Sequence, residues 1–211
     1  LHNYWLSKYK IQGFYVPFSV PTDKLKKTLS SLVHLGFRGV NITIPHKTAV
    51  LSFADSITDR ASLIGAANTL YFSGNGKIHA DNTDGHGFIQ NILDDYPDYD
   101  FYDKVALIYG AGGSSRAIAS SLISNGIKEV RITNRTRSKA QIISENLGAK
   151  VLVIDWRSAP ENLNQADLII NTTSMGMVGQ PEFSQPISRA SKSALVVDIV
   201  YNPLQTDLIK Q

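Results

Sequence analysis

The stretch Val105-Ala106-Leu107-Ile108-Tyr109-Gly110-Ala111-Gly112-Gly113-Ser114-Ser115-Arg116 decides the fold. Its first five residues form an apolar run without alternation, the pattern of a strand buried on both faces. Gly-x-Gly-Gly follows and leads into a helical run, so the chain turns from strand to helix on residues without side chains to obstruct a ligand. Backbone N–H groups and the helix N-terminus at such a turn suit a diphosphate, which makes Gly110, Ala111, Gly112, Gly113, Ser114 and Ser115 candidate cofactor-binding residues. Ser115 stands where the usual fingerprint carries Gly or Ala, so the motif taken alone also fits an ordinary structural turn.

Downstream, Val130 to Thr133, Val151 to Ile154, Leu168 to Asn171 and Leu195 to Ile199 are further apolar strand candidates, with helical segments between the first three strands. Near-continuous apolar strands alternating with helices imply a parallel sheet covered on both faces, because parallel strands need crossovers and the crossovers bury the sheet. The expectation is a Rossmann-like doubly wound parallel sheet. The second strand ends in Asn134-Arg135-Thr136-Arg137-Ser138-Lys139. Dinucleotide folds place a carboxylate near this point to hold ribose hydroxyls, or a basic residue to accommodate a 2′-phosphate. No carboxylate is available here. Arg135 offers a planar fork, Thr136 a hydroxyl and Arg137 or Lys139 further charge, so NADP is favoured over NAD, with Asn134 and Lys139 completing the candidate set. The alternative is a solvated start to the next helix.

Upstream, Gly13 to Val20 is aromatic and β-branched, Thr22 to Leu35 carries Leu25, Leu29, Leu32 and Val33 at helical spacing, and Gly39 to Ile44 reads as a strand. Together they read as a βαβ unit. Helical signal resumes after Pro45 through about Ile64. Asn68 to Phe72 and Lys77 to Ala80 then flank Ser73-Gly74-Asn75-Gly76 as in a hairpin. A helix from about Gly85 to Leu93 leads into Asp94-Asp95-Tyr96-Pro97-Asp98-Tyr99-Asp100, an acidic hinge. The expected division is an N-terminal α/β domain over residues 1–98 and a dinucleotide-binding domain over 99–211.

The 211 residues include 43% hydrophobic and 18% charged positions, a globular composition. The absence of cysteine removes disulfides, thiolate metal sites and cysteine nucleophiles together. No run approaches the roughly 18–20 apolar residues that a spanning helix needs, so no membrane partner is expected. The formal charge of +3 is dispersed, with no cluster for tracking phosphates along a nucleic acid. Anionic small molecules suit that balance. No His or carboxylate spacing suggests a metal, and none is expected. Leu1 is not an initiator Met, and Gln211 falls in the first turns of an apparent helix, so a trimmed chain is expected.

Asn41-Ile42-Thr43-Ile44-Pro45-His46-Lys47 places a lysine just past the carboxyl end of a strand, where open α/β sheets bind ligands. Gly65-Ala66-Ala67-Asn68-Thr69 and Asp81-Asn82-Thr83-Asp84-Gly85-His86-Gly87 follow. Singly, Lys47 could be a solvated lysine, Asn68 a turn residue and Asp84 a helix N-cap. In order and approximate spacing, the three segments resemble the N-x-T-x-P-x-K, G-A-x-N-T and N-T-D-G-x-G motifs of the shikimate dehydrogenase family. The glycine turn, Asn134-Arg135-Thr136, Asn171-Thr172-Thr173-Ser174-Met175-Gly176 and Asp198-Ile199-Val200-Tyr201-Asn202-Pro203 resemble further family segments, so the likeness covers essentially the whole chain.

The resemblance implies reversible reduction of 3-dehydroshikimate by NADPH in a cytoplasmic enzyme that is a monomer or homodimer. Lys47 and Asp84 carry over as the catalytic pair, and Thr43, Asn68 and Tyr201 as substrate-binding residues. Met175 and Met177 resemble residues of the family loop along the nicotinamide side of the cleft, where simple packing fits equally, and Thr173 and Met175 carry over as candidate cofactor-binding residues. His46 and His86 occupy positions that vary in the family and are expected to pack or face solvent. Of the serine-containing segment that opens family members, only Leu1-His2-Asn3 is present, and the segment G-x-x-M-L-x-x-Q is absent. Both are expected to lie outside the given chain, because a sheet without its first strand exposes an edge. Competing readings are a quinate/shikimate dehydrogenase using NAD, against which Arg135 argues, and a noncatalytic NADP sensor, which would need neither Lys47 nor Asp84.

Overall fold

A computed structural model describes all residues, 1–211. Helix α1 (His2–Lys8) buries no residue. Residues 11–20 form no regular element, contrary to the expected strand. The local reason is visible at Asn3, whose side chain donates to the Tyr15 carbonyl at 2.9 Å and accepts the Tyr15 N–H at 2.7 Å. A side-chain amide thus takes both groups that a neighbouring strand would have paired, and Pro17 has no N–H to offer a ladder. The expected βαβ unit is therefore not formed.

A 3₁₀ turn (Thr22–Lys24) precedes α2 (Leu25–His34), which buries Leu25, Leu29 and Leu32 at i, i+4, i+7 spacing. Strand β1 (Gly39–Asn41) follows. The expected continuous helix from Pro45 to Ile64 is instead a 3₁₀ turn (Ala49–Phe53), strand β2 (Ser56–Ile57) and α3 (Asp59–Ile64). The break has a cause in pairing: the Asp55 and Thr58 N–H groups donate to the Ile78 and Ala80 carbonyls, which seats β2 in a sheet. Strands β3 (Thr69–Phe72) and β4 (Ile78–Asp81) form the expected hairpin, with Ser73 N–H donating to the Lys77 carbonyl across the turn. The first sheet has the order β1-β3-β4-β2, antiparallel except for β2 on β4. Its core joins the three α2 leucines to Val50, Leu70, Phe72 and Ile78.

Helix α4 (Asp84–Asp95) then connects to β5 (Val105–Tyr109), α5 (Gly113–Ser124), β6 (Glu129–Thr133), α6 (Arg137–Leu147), β7 (Val151–Val153), a 3₁₀ segment (Ala159–Gln165), β8 (Leu168–Asn171), β9 (Leu195–Asp198) and α7 (Asp207–Lys210). The second sheet is wholly parallel, in the order β7-β6-β5-β8-β9. It is the doubly wound arrangement expected from its strands. The chain leaves β5 toward β6 on one side and returns to β8 on the other, so the Gly110–Gly113 turn sits at the switch point of the sheet.

Helix α4 precedes residue 98, yet its Phe88, Ile89 and Ile92 share one core with Ile118 and Leu122 of α5 and with Ile108, Ile132 and Ile170 of the parallel sheet. The two helices cross closely at Gly85, where a Cβ would stand 2.5 Å from the Ala117 carbonyl oxygen. A glycine is required there by contact. The first residue of α4 is thereby fixed beside the start of α5.

Candidate active site

Asp84 opens α4, and its N–H donates to Asn82 Oδ1 at 3.0 Å. Asn82 is itself buried, with its Nδ2 donating to the Ala66 carbonyl at 2.9 Å. A carboxylate at a helix N-terminus also lies in the favourable field of the unpaired N–H groups. Lys47 reaches the same point from the segment after β1, which is held down by Ala67 N–H donating to the Lys47 carbonyl at 2.7 Å. The Lys47 ammonium donates to Asp84 Oδ2 at 2.5 Å. Their side chains are only 13% and 22% exposed, so the contact is shielded from water without being sealed from it. Asn68 Nδ2 donates to the other carboxylate oxygen, Asp84 Oδ1, at 2.8 Å and to Thr83 Oγ1 at 3.0 Å.

The glycine turn completes the constellation. Lys47 Nζ donates to Ser114 Oγ at 3.2 Å, and a Cβ on Gly113 would stand 3.0 Å from Lys47 Cβ. Residues from the two sheets therefore meet at one place. Beside them lies a cavity of about 380 Å³ whose lining includes Lys47, Gly112, Gly113, Arg116 and Lys139. An ammonium held by a carboxylate and opening onto a cationic cavity can give a proton to a developing anion and hold its charge.

Other candidates are placed differently. Ser115 is fully buried, and its hydroxyl accepts the Gly112 N–H at 3.2 Å and lies 2.6 Å from Thr172 Oγ1. The serine at the unusual fingerprint position braces the turn from below, and its side chain does not face the cavity. Arg135 and Thr136 after β6 and Lys139 in the first turn of α6 are exposed, while Asn134 Nδ2 donates to the Thr136 carbonyl at 2.9 Å and shapes that loop. Thr173 Oγ1 donates to Asn171 Oδ1 and accepts the Met175 N–H, organising the loop after β8. Met175 is 5% exposed and packs with Tyr109 and Phe183 in the core beneath that loop. Thr43 lies beside a separate apolar cavity of about 250 Å³ next to β1, and Tyr201 is 84% exposed. The structure brings neither into hydrogen-bond contact with the Lys47–Asp84 pair. His46 is buried with Nε2 bonded to the Val20 carbonyl at 2.8 Å, and His86 is exposed.

Sequence reasoning missed Asn82 as the support of Asp84, and Ser114 as a partner of Lys47. The position of Asn82 two residues before a helix start was a readable signal. A contact spanning 67 residues, as between Lys47 and Ser114, had none.

Fold and site together define an α/β dehydrogenase of the two-sheet kind, with the Lys47–Asp84 charged pair facing the glycine turn at the switch point of the parallel sheet. The chain belongs to the shikimate dehydrogenase family. Residues 1–70 match the shikimate dehydrogenase substrate binding domain, and residues 92–205 match the shikimate / quinate 5-dehydrogenase family. The shikimate dehydrogenase (NADP(+)) of Cereibacter sphaeroides is 46% identical over 211 residues, covering 100% of this chain and 76% of that protein. Among solved structures, the shikimate 5-dehydrogenase of Thermus thermophilus in complex with NADP(H) and shikimate superposes with a TM-score of 0.86 at 30% identity, over 99% of this chain and 76% of that one. The quinate dehydrogenase of Corynebacterium glutamicum in complex with NAD gives a TM-score of 0.80 at 31% identity, over 88% and 67%. No helix is long and apolar enough to cross a membrane.

Proposed function

We propose that this protein catalyses the reversible NADP-dependent reduction of 3-dehydroshikimate to shikimate, a step in the formation of chorismate and the aromatic amino acids. The observation that carries the reading is the Lys47–Asp84 contact set against the glycine turn. In this reading residues 1–98 provide substrate binding and the catalytic pair, and residues 99–211 hold the cofactor. The protein acts in the cytoplasm as a monomer or homodimer.

The residues present fit NADP. A Cβ at Gly112 would meet open space, so a diphosphate can approach the backbone of the turn. Arg135 after β6 and Lys139 in the first turn of α6 stand exposed and free of carboxylate partners, with Thr136 between them, in place of the acidic residue that an NAD site uses. When bound, the reduced nicotinamide supplies the hydride. Lys47 Nζ gives a proton to the ketone oxygen as negative charge develops there, and its own charge stabilises that oxygen before the transfer is complete. Asp84 holds the ammonium in place through Oδ2 and accepts from a neighbouring ring hydroxyl of the substrate. Asn68 fixes the second oxygen of Asp84 and, with substrate bound, exchanges its N–H contact to Thr83 Oγ1 for a ring hydroxyl. Thr43 and Tyr201 supply further hydroxyls to the substrate, Tyr201 from its exposed position after β9. In the oxidative direction the same lysine, deprotonated, takes the hydroxyl proton.

The likeness to a quinate dehydrogenase makes quinate with NAD the second reading. Steady-state oxidation of shikimate and of quinate, each with NADP and with NAD, separates the two. Highest kcat/KM for shikimate with NADP supports the first. Lys47→Ala is expected to lower kcat by about 10²–10⁴-fold while NADP still binds. Unchanged turnover would reject the catalytic lysine, and cofactor binding without turnover of either substrate in the unaltered protein would favour a sensor.

A further inference from the structure

Arg116 occupies the first turn of α5 and lines the cavity shared by Gly112, Gly113, Lys47 and Lys139. No carboxylate lines that cavity. The Lys47 charge is met by Asp84, whereas the Arg116 guanidinium forms neither an ion pair nor a hydrogen bond within the chain, and its Nη1 stands 3.3 Å from the point where a Cβ on Gly65 would be. It is half-buried, and burial alone pushes its pKa down. A guanidinium withdrawn from water is costly when its five donors are unmet, and a fork of that shape suits phosphate oxygens in pairs. The Ser115 hydroxyl, by contrast, is already committed to the underside of the turn.

We propose that Arg116 is a cofactor-binding residue that closes on the diphosphate held by the Ala111–Gly113 turn. The proposal rests on the reading of that turn as a dinucleotide site and adds a side chain to what the backbone supplies there. Because Arg116 also lies against Gly65 at the end of α3, its engagement ties the α3 end of the first sheet's unit to the loaded cofactor.

The test compares the unaltered protein with Arg116→Met, which keeps the apolar stem and removes the charge, using calorimetric binding of three probes. NADP carries both the diphosphate and the 2′-phosphate, ADP-ribose only the diphosphate, and adenosine 2′-monophosphate only the 2′-phosphate. NADP and ADP-ribose are expected to bind on the order of 10- to 100-fold more weakly to the variant, with the monophosphate changed by less than about 2-fold. A loss confined to the monophosphate, an equal loss for all three probes with a lowered unfolding midpoint, or no loss at all would each overturn the proposal. Should Arg116→Met not fold, Arg116→Lys is read in the same way: weakening of only the two diphosphate probes supports the assignment, and unaltered binding of all three overturns it. Failure of the unaltered protein to bind either diphosphate probe would instead be a failure of the cofactor reading itself.

Discussion

Replacing Gly85 by alanine tests whether the close crossing of α4 and α5 holds the Asp84 carboxylate, proposed above as one of the catalytic pair, in place. The new Cβ would stand 2.1 Å from Ser121 Oγ and 2.5 Å from the Ala117 carbonyl oxygen. The serine hydroxyl can rotate away. The carbonyl belongs to the helix backbone and cannot, so α4 must retreat by about 0.9 Å to reach the 3.4 Å of ordinary contact. Overpacking of this kind costs about 1–3 kcal/mol, and alanine returns about 1 kcal/mol through its better helix propensity. A net loss of up to about 2 kcal/mol lowers the unfolding midpoint by up to roughly 8 °C in a chain of this size. Asp84 precedes Gly85 directly and moves with it, away from Lys47 and Ser114. Misplacing a catalytic group by about 1 Å costs on the order of 10²-fold in rate. Calorimetric unfolding and steady-state kcat with shikimate and NADP measure the two effects. Wild-type values for both would refute the reasoning, and so would full rescue by Ser121→Ala, because that change leaves the carbonyl in place.

Arg135→Ala is expected to weaken NADP far more than NAD in parallel binding titrations, and equal weakening of both would remove the 2′-phosphate argument. The Asp81 carboxyl is held down to about 2, first by its hydrogen bonds from Arg60 and then by Thr58 and the Asn82 N–H against the opposing effect of burial. A depressed carboxylate stabilises the fold above its ordinary value of 3.8, and that stabilisation is lost as pH falls toward 2. Arg60→Ala should therefore raise the Asp81 pKa by NMR titration and reduce stability at neutral pH by no more than about 1 kcal/mol, since the arginine is largely exposed. Stabilities of the two proteins should converge in strong acid. A difference that persists below pH 2 would contradict the assignment.

Much of the parallel sheet was legible because its signal is local. Val105–Tyr109 and Leu168–Asn171 are buried on both faces, so an unbroken apolar run reports the environment directly, and Gly110–Gly113 marks the end of the strand by chemistry that few other contexts require. The Ser73–Gly76 turn was legible for the same reason. Gly13–Val20 misled because strand propensity describes side chains, whereas a strand exists only where another backbone accepts its N–H and carbonyl groups. Asn3 took that role for Tyr15. The run from Pro45 to Ile64 misled in the opposite sense, since pairing with β4 overrode a helical pattern at Ser56–Ile57.

The candidate site divides along the same line. The residue types and their order along the chain were fixed by the sequence: a lysine after a strand, an asparagine before a hairpin, an aspartate at a helix start and glycines at a strand-to-helix turn. That Lys47 meets an aspartate 37 positions away and a serine 67 positions away was decided only by packing, because α4 buries Phe88, Ile89 and Ile92 against α5 and so carries Asp84 across to the second sheet. The same packing left Arg116 without a partner and committed Ser115 to the interior. Charge and hydrogen-bonding capacity are properties of single residues, but whether they are satisfied depends on neighbours that only the folded chain supplies.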